Sequence, residues 1–140
     1  MAVLPYADYG VKLYGNVIIA SPRLIKEHPA AIKAFLLAFT KGVKDVIANP
    51  KEAIAAVKAR DGIINVALEQ RRLQLAIDTV INSADARAEG FGQVKGPRLS
   101  LMASQVSDAF ATKTRVNPDA VWNGSFLPSA AELNILPEKK

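Results

Sequence analysis

Residues 8–22 read DYGVKLYGNVIIASP and contain the pattern that decides the fold class of this chain. The run from Asn16 to Ala20 is short, apolar and rich in β-branched residues, which is typical of a strand buried on both faces. Such a strand needs neighbouring strands, because an isolated strand has no independent stability. We therefore predict a strand over residues 11–20 that belongs to a sheet.

Beyond this stretch the sequence predicts helices and no other strand of comparable strength. Ser21 is a good N-cap and Pro22 fits the first helical position, so a short helix directly follows the predicted strand. Apolar spacing, proline starts and capping residues predict the remaining helices. Their expected places are 29–48, 50–60, 65–82, a turn at 84–88, a helix opening at Pro97, a short helix at 118–122, and a last turn opened by a capping box of Ser129 and Glu132. The chain is expected to be mostly helical, with one or two β-strands near its N-terminus.

The longest of these helices, residues 29–48, is expected to bury one apolar stripe. The stripe consists of Ile32, Phe35, Leu36, Phe39, Val43, Val46 and Ile47. Gly42 lies in the same helix, where glycine costs roughly 1 kcal/mol against alanine, so we predict that it makes a close packing contact. Asn49, Pro50 and Glu52 then predict an N-cap, a first helical position and a capping box for the next helix.

The composition is that of a globular chain and excludes several kinds of site. Of the 140 residues 50% are apolar, and no apolar run approaches the roughly 18 residues that a membrane-spanning helix needs. With no cysteine, the chain has no disulfide, thiolate metal site or cysteine nucleophile. The net charge of +5 is the balance of 18 Lys and Arg residues against 13 Asp and Glu residues, and the scattering of the basic residues favours a solvated basic surface over a nucleic-acid site. The opening residues MAVLPYADYG lack the pattern of a signal peptide.

Residues able to carry catalysis or bind metal are few. The single histidine, His28, precedes a proline at a helix start, which is more typical of a surface or capping residue than of a catalytic one. Asp85 and Glu89 are spaced as a metal-ligand pair, but a solvated helix face explains them better. The glycines of GFGQVKG, residues 90–96, do not follow a strand as a phosphate-binding loop requires. We therefore expect no catalytic residue, no metal and no cofactor.

The aromatic residues around the predicted strand are the best candidates for a binding site. All three tyrosines, Tyr6, Tyr9 and Tyr14, lie here together with Gly15 and Asn16. Tyrosine has an apolar ring with a polar tip, and glycine lets a ligand approach the backbone, so the group suits the mouth of a small-molecule cleft. The alternative is that the tyrosines pack over a sheet edge while Gly15 marks a bulge.

The order of these features resembles the second half of a family of solute-binding proteins. The segment YADYGVKLYGNVIIASPRLIKEHPAAIKAFLLAFTKGVKDVIANPKEAIAAV, then AEGFGQVKGPRLSLMASQVSDAF, then SFLPSA, is similar to the solute-binding proteins of nitrate, sulfonate, taurine and pyrimidine-type ABC importers. These are relatives of the thiamine-pyrimidine synthases. The likeness covers nearly all of the chain.

The resemblance implies an α/β parent fold, the type II periplasmic binding protein fold, in which two lobes bind ligand between them. Residues 1–140 would supply the C-terminal part: strand 11–20 and the C-terminal helices. The other strands, the second lobe and the signal peptide of the periplasmic parent protein would lie upstream. Alone, the chain is expected to bind ligand poorly or not at all.

The function implied by the resemblance is transport without catalysis. The intact protein would close its lobes on a small molecule and deliver it to the ABC permease. Tyr14 would stack on the ligand and Asn16 would hydrogen-bond it, with Gly15 and Tyr9 beside them. Two alternatives stay open: a pyrimidine-synthase-like enzyme of thiamine biosynthesis, and a free-standing helical interaction module.

The predicted strand also has a consequence for assembly. An unpaired apolar strand is a template for another chain, so we expect self-association through residues 11–20.

Overall fold

The computed structural model describes residues 4–11 and 13–137, and these residues form helices joined by short loops. The helices are α1 (Pro22–Glu27), α2 (Pro29–Ala48), α3 (Pro50–Arg60), α4 (Val66–Ala76), α5 (Ala84–Glu89), α6 (Gly96–Ala109), α7 (Pro118–Val121) and α8 (Ala130–Leu133). Two 3₁₀ turns, Tyr6–Tyr9 and Gly124–Phe126, and a π-helical turn, Ile77–Ile81, complete the regular structure of the described residues. None of these described helices is both long and apolar enough to cross a membrane.

The chain divides into two compact units. The first comprises Met1–Ala20 and Val94–Ser125 and contains α6 and α7. The second comprises Ser21–Gln93 and Phe126–Lys140 and contains α1 to α5 together with α8. In the second unit α1 packs on α2, α2 on α3 and α3 on α4, and α8 packs on α2.

The helix predictions are confirmed at nearly every start, because the starts depend on local chemistry. The Ser21 side chain accepts a hydrogen bond from the Leu24 N–H (3.2 Å), as expected of an N-cap. The capping box at α8 also forms, with the Glu132 carboxylate accepting from the Ser129 N–H at 2.9 Å. The predicted helix over 65–82 is observed as α4 followed by the π-helical turn, in which the Asn82 N–H donates to the Ile77 carbonyl oxygen (2.8 Å).

The capping box predicted at Asn49 and Glu52 is wrong. Asn49 ends α2 and starts α3 at once, with its N–H donating to the Asp45 carbonyl oxygen (2.8 Å). Its backbone angles, φ −134° and ψ 61°, differ from the extended conformation of an N-cap, and its side chain makes no capping hydrogen bond. Because Asn49 ends α2 in this conformation, it cannot also adopt the extended backbone that an N-cap of α3 requires.

The face that α2 buries is narrower than the spacing predicted. Ile32 and Thr40 are buried, but Phe35 and Phe39 are 56% and 45% exposed, with their rings stacked at 6.2 Å between centroids. The close contact predicted for Gly42 is also wrong, since a Cβ there would meet nothing within 4 Å. The single predicted stripe is therefore only partly buried, with Phe35 and Phe39 exposed and the half-buried members being Leu36, Val43, Val46 and Ile47.

The predicted strand is not formed. No strand occurs in the described residues, and residues 13–20 have no regular secondary structure. Lys12, which falls inside the predicted range, lies outside the described residues. The expectation of one or two β-strands near the N-terminus is therefore not met among the residues that the structure describes. The physical reason is that strand pairing needs a second strand, and the described part of the chain has none to offer.

Candidate functional site

Tyr14 is the predicted site residue that the structure places most firmly. Its hydroxyl accepts a hydrogen bond from the backbone N–H of Lys95 (2.8 Å). Lys95 is the N-cap residue of α6, which Pro97 helps to start. Tyr14 is half-buried, so its ring is held against the beginning of this helix by a contact that spans 81 residues of sequence.

Arg98, in the first turn of α6, completes the anchorage of Tyr14. The guanidinium carbon lies 4.3 Å from the centroid of the Tyr14 ring, a cation–π geometry. The same side chain donates a hydrogen bond from Nη2 to the Leu13 carbonyl oxygen (2.7 Å). A cation–π contact contributes about 0.5–2 kcal/mol and a hydrogen bond from a charged donor about 1.5–3 kcal/mol. Arg98 therefore fixes both the ring and the backbone at residues 13 and 14.

Among the described residues, the remaining predicted ligand residues take no part in the contacts that Lys95 and Arg98 make with Tyr14. Gly15 and Asn16 follow Tyr14 directly and are exposed. Tyr9 belongs to the 3₁₀ turn Tyr6–Tyr9 and is 69% exposed. No hydrogen bond or ring contact between described residues links Tyr9 to Tyr14. Ligand contact by Tyr14, Gly15, Asn16 and Tyr9 stays a prediction.

Lys95 and Arg98 are members of this cluster that the sequence did not reveal. The proline start of their helix was readable, and it places Arg98 one turn from the helix beginning. Their proximity to Tyr14 was not readable, because 81 and 84 residues separate them in the chain. A basic residue in the first turn of a helix is electrostatically unfavourable, and this is the one local signal that Arg98 has another role.

Two clefts lie elsewhere in the described residues. The larger, about 320 Å³, lies at the C-terminal end of α6 beside Ser107, Asp108 and Arg115. Its polar groups bond one another: Arg115 donates to Asp108 Oδ1 (2.7 Å), and the Ser107 hydroxyl accepts from the Val116 N–H (3.0 Å). A smaller cleft of about 160 Å³ lies beside Pro50, Lys51, Gln70 and Gln74. Neither cleft is lined by any of the four predicted ligand residues, so the Tyr14 cluster is the candidate site that the sequence and the structure share.

No group of three or more His, Asp and Glu residues in the described parts of the chain could hold a metal ion. The Tyr14 cluster offers aromatic, cationic and amide groups instead. Such groups bind and orient a small organic or anionic molecule by stacking, charge and hydrogen bonding.

Comparison with known proteins gives one match. The family model described as NMT1/THI5 like matches residues 1–53 of the chain. The match supports the superfamily that the sequence resembles, and that family is compatible with solute binding and with a synthase-like role. All four predicted ligand residues fall inside the matched range. No curated protein and no solved structure matches the chain.

Proposed function

We propose that this chain is part of the solute-binding component of an ABC importer, without enzymatic activity of its own. The intact periplasmic protein has the two-lobed α/β fold of type II periplasmic binding proteins. It binds a small molecule of the nitrate, sulfonate, taurine or pyrimidine class between its lobes and delivers it to the permease. Tyr14, Gly15, Asn16 and Tyr9 contact the ligand.

The observation that carries this proposal is the coincidence of the family match with the Tyr14 cluster. The matched residues 1–53 contain the tyrosines and the Gly-Asn pair. Within that range, Tyr14 is held by Lys95 and Arg98 while Gly15 and Asn16 are exposed next to it. An anchored residue followed at once by two accessible ones suits ligand binding, because the anchor reduces the entropy that binding must remove.

Three of the four residues contribute different contacts to the ligand. The Tyr14 ring supplies an apolar surface, and the Asn16 amide supplies both a donor and an acceptor. Gly15, without a side chain, allows a ligand to reach the backbone between them. Because the second lobe supplies the other half of the cleft in the proposed parent fold, these residues alone bind weakly.

Nuclear magnetic resonance titration of the ¹⁵N-labelled chain tests the proposal. Taurine, nitrate, a short alkanesulfonate and an aminopyrimidine are added separately, and the Gly15 and Asn16 amide shifts are followed. We expect one of these classes to shift both amides with a dissociation constant of about 1 mM or weaker. Asn16→Ala abolishes the shifts, whereas Tyr6→Ala, in the neighbouring turn, leaves them unchanged.

Two results would overturn the proposal in different ways. If none of the four compounds shifts the Gly15 and Asn16 amide signals, these residues are excluded as ligand contacts. Micromolar, stoichiometric binding by the isolated chain would show that no second lobe is needed, and the two-lobed parent fold would then be wrong.

A further inference from the structure

The loop formed by Asn123, Gly124 and Ser125 holds one side-chain amide in an activated arrangement. All three residues are exposed. The Asn123 Oδ1 atom accepts two hydrogen bonds from Ser125, one from the backbone N–H (3.0 Å) and one from the hydroxyl (2.7 Å). Two donors on one carbonyl oxygen stabilise the negative charge that forms there when a nucleophile attacks the carbon. The Asn123 Cγ atom is therefore a more reactive carbon than that of a solvated asparagine.

The backbone nitrogen of Gly124 is the nucleophile nearest to this carbon along the chain. Gly124 is the first residue of the 3₁₀ turn Gly124–Phe126, and an N–H group at the start of a helical turn has no acceptor within that turn. Glycine also lacks a Cβ, so its backbone can be approached closely. Attack of the Gly124 nitrogen on Asn123 Cγ closes a succinimide ring.

Asn117 is a natural comparison for Asn123. Its Oδ1 atom accepts a hydrogen bond from the N–H two residues later, that of Asp119 (3.0 Å), as in the Asn123 loop. The residue that follows it is Pro118, whose nitrogen carries no hydrogen and cannot form the ring. Asn123 is the one asparagine of the sequence that precedes a glycine, so it alone combines the activated amide with a suitable nucleophile.

Asp61 shows a related loop without the second donor. It precedes Gly62, and its Oδ1 atom accepts from the Ile63 N–H (3.2 Å). Residue 63 has no hydroxyl, so the additional donor that Ser125 offers to Asn123 does not exist at this loop. The Ser125 hydroxyl is thus the feature that distinguishes the Asn123 loop from the other Xaa-Gly loop of this geometry.

We propose that Asn123 is a self-modification site that loses its side-chain nitrogen as ammonia. The Gly124 nitrogen gives up its proton and bonds to Asn123 Cγ, while the two Ser125 donors stabilise the oxygen of the tetrahedral intermediate. The Cγ–Nδ2 bond then breaks, and Nδ2 leaves as ammonia with the proton that Gly124 released. Water opens the ring at either carbonyl carbon. Breaking the bond to Cγ gives aspartate, and breaking the bond to the backbone carbonyl carbon gives isoaspartate.

The modification lies where the chain passes from one compact unit to the other. Ser125 ends the second segment of the first unit, and Phe126 begins the last segment of the second unit. Aspartate adds a negative charge and still presents Oδ1 to the Ser125 donors, whereas isoaspartate inserts its Cβ atom into the main chain. The reaction involves no residue of the Tyr14 cluster, so it can stand while the proposed function fails, and the reverse.

Peptide mass spectrometry of the folded chain, incubated at mildly alkaline pH, tests the proposal. We expect exchange of NH for O at Asn123 and none at Asn117. Ser125→Ala should slow the reaction about tenfold, because it removes one of the two donors to the developing charge. Ser125→Thr keeps the hydroxyl and should restore the rate. A rate that Ser125→Ala leaves unchanged would overturn the proposal.

The same measurement in guanidinium chloride separates the folded loop from its local sequence. Unfolding keeps the order Asn123-Gly124-Ser125 but removes the two hydrogen bonds. Wild type and Ser125→Ala should therefore react at equal rates when unfolded, and the folded wild type should react faster than the unfolded one. Circular dichroism establishes that each variant is folded in buffer. A folded wild-type chain that reacts more slowly than the unfolded chain would show that the loop protects Asn123, contrary to the proposal.

Discussion

Gly90 and Gly42 differ in whether neighbouring atoms leave room for a side chain. Gly90 adopts φ +100° and ψ 158°, a conformation almost confined to glycine. A Cβ on Gly90 would lie 2.9 Å from the Leu133 Cβ, and the Phe91 N–H donates to the Leu133 carbonyl oxygen (2.9 Å). Gly42, by contrast, lies in helical backbone facing open space. The close approach predicted for Gly42 exists at Gly90 instead.

Alanine substitutions at the two glycines should therefore have opposite effects on stability. Gly90→Ala should lower the free energy of unfolding by about 1–3 kcal/mol, through backbone strain and the clash with Leu133. Gly42→Ala should raise it by about 0.5–1 kcal/mol, because alanine loses less entropy in a helix. Urea denaturation followed by circular dichroism measures both. Changes of the same sign in the two variants would contradict the assigned packing.

For Tyr14, the sequence predicts a binding role but not the residues that the side chain contacts. Its type and its glycine neighbour indicated a binding role, and the structure places it in an anchored position. Arg98 carries a weaker signal, because a basic residue in the first turn of a helix is unfavourable but does not indicate which residue it contacts. Only its position over the Tyr14 ring gives it a role.

At the scale of elements, two similar helix starts have different outcomes. Ser129 and Glu132 form the capping box that opens α8, with the Glu132 carboxylate also accepting from the Ser129 hydroxyl (2.8 Å). Asn49 and Glu52 have the same spacing but form no capping box, because Asn49 also ends α2. Spacing predicts a capping box only where the N-cap residue is free to adopt an extended backbone.

The stability contributed by Glu132 should depend on pH. The hydrogen bonds from the Ser129 side chain and then its backbone N–H lower the pKa of the Glu132 carboxyl. Because the folded-state pKa is lowered, the contribution is present above the unfolded value, about 4.3, and is lost as pH falls through the folded value. Glu132→Gln should therefore be less stable than wild type at pH 7, and this difference should shrink as pH falls below about 4.3 and through the lowered folded-state pKa.

Urea denaturation at several pH values checks this prediction, with Glu52→Gln as the matched control. Glu52 occupies the corresponding position in α3, where no side-chain capping bond forms, so its substitution should give a smaller pH-dependent difference. A stability difference for Glu132→Gln that is the same at pH 7 and pH 3 would show that the charge of Glu132 does not support the cap.

At the scale of the whole chain, the described residues bury few apolar side chains. The buried apolar residues are Ile32, Ile54, Ile77, Leu99, Ala103, Leu133 and Ile135, while eighteen large apolar residues of the described chain are exposed. Among the exposed ones, Phe35 and Phe39 stack on α2 as a pair. The stacked pair is an exposed apolar surface on which a hydrophobic molecule can bind.

The folded chain should therefore bind a hydrophobic dye such as anilinonaphthalene sulfonate at neutral pH. The double variant Phe35→Ser, Phe39→Ser should reduce the dye fluorescence, because it removes the stacked pair. Each substitution should change the free energy of unfolding by no more than about 0.5 kcal/mol, as is usual for exposed positions. Phe110→Ser, at an exposed aromatic without a stacked partner, is the control and should reduce fluorescence less.

A stability loss of about 3–5 kcal/mol for Phe35→Ser would contradict this arrangement, since that is the cost of removing a buried aromatic residue. Phe35 would then be buried, as the spacing of α2 predicts, and the exposed position of its side chain would be wrong.

The sequence by itself determined where most helices begin. Ser21, Pro29, Pro50, Pro97 and Ser129 act on backbone groups within three or four residues of themselves, so their effects are readable locally. The apolar run at residues 16–20 was also readable as a potential strand. The sequence could not show whether these residues form a strand, because a strand is stable only when another strand pairs with it.

The tertiary structure decided which apolar side chains are buried and which distant residues are in contact. It left Phe35 and Phe39 exposed although their spacing allowed burial, and it joined Tyr14 to Lys95 and Arg98 across more than 80 residues of chain. Burial and long-range contact depend on what the rest of the chain brings near a residue. Local spacing records only which residues share a face, so it cannot contain that information.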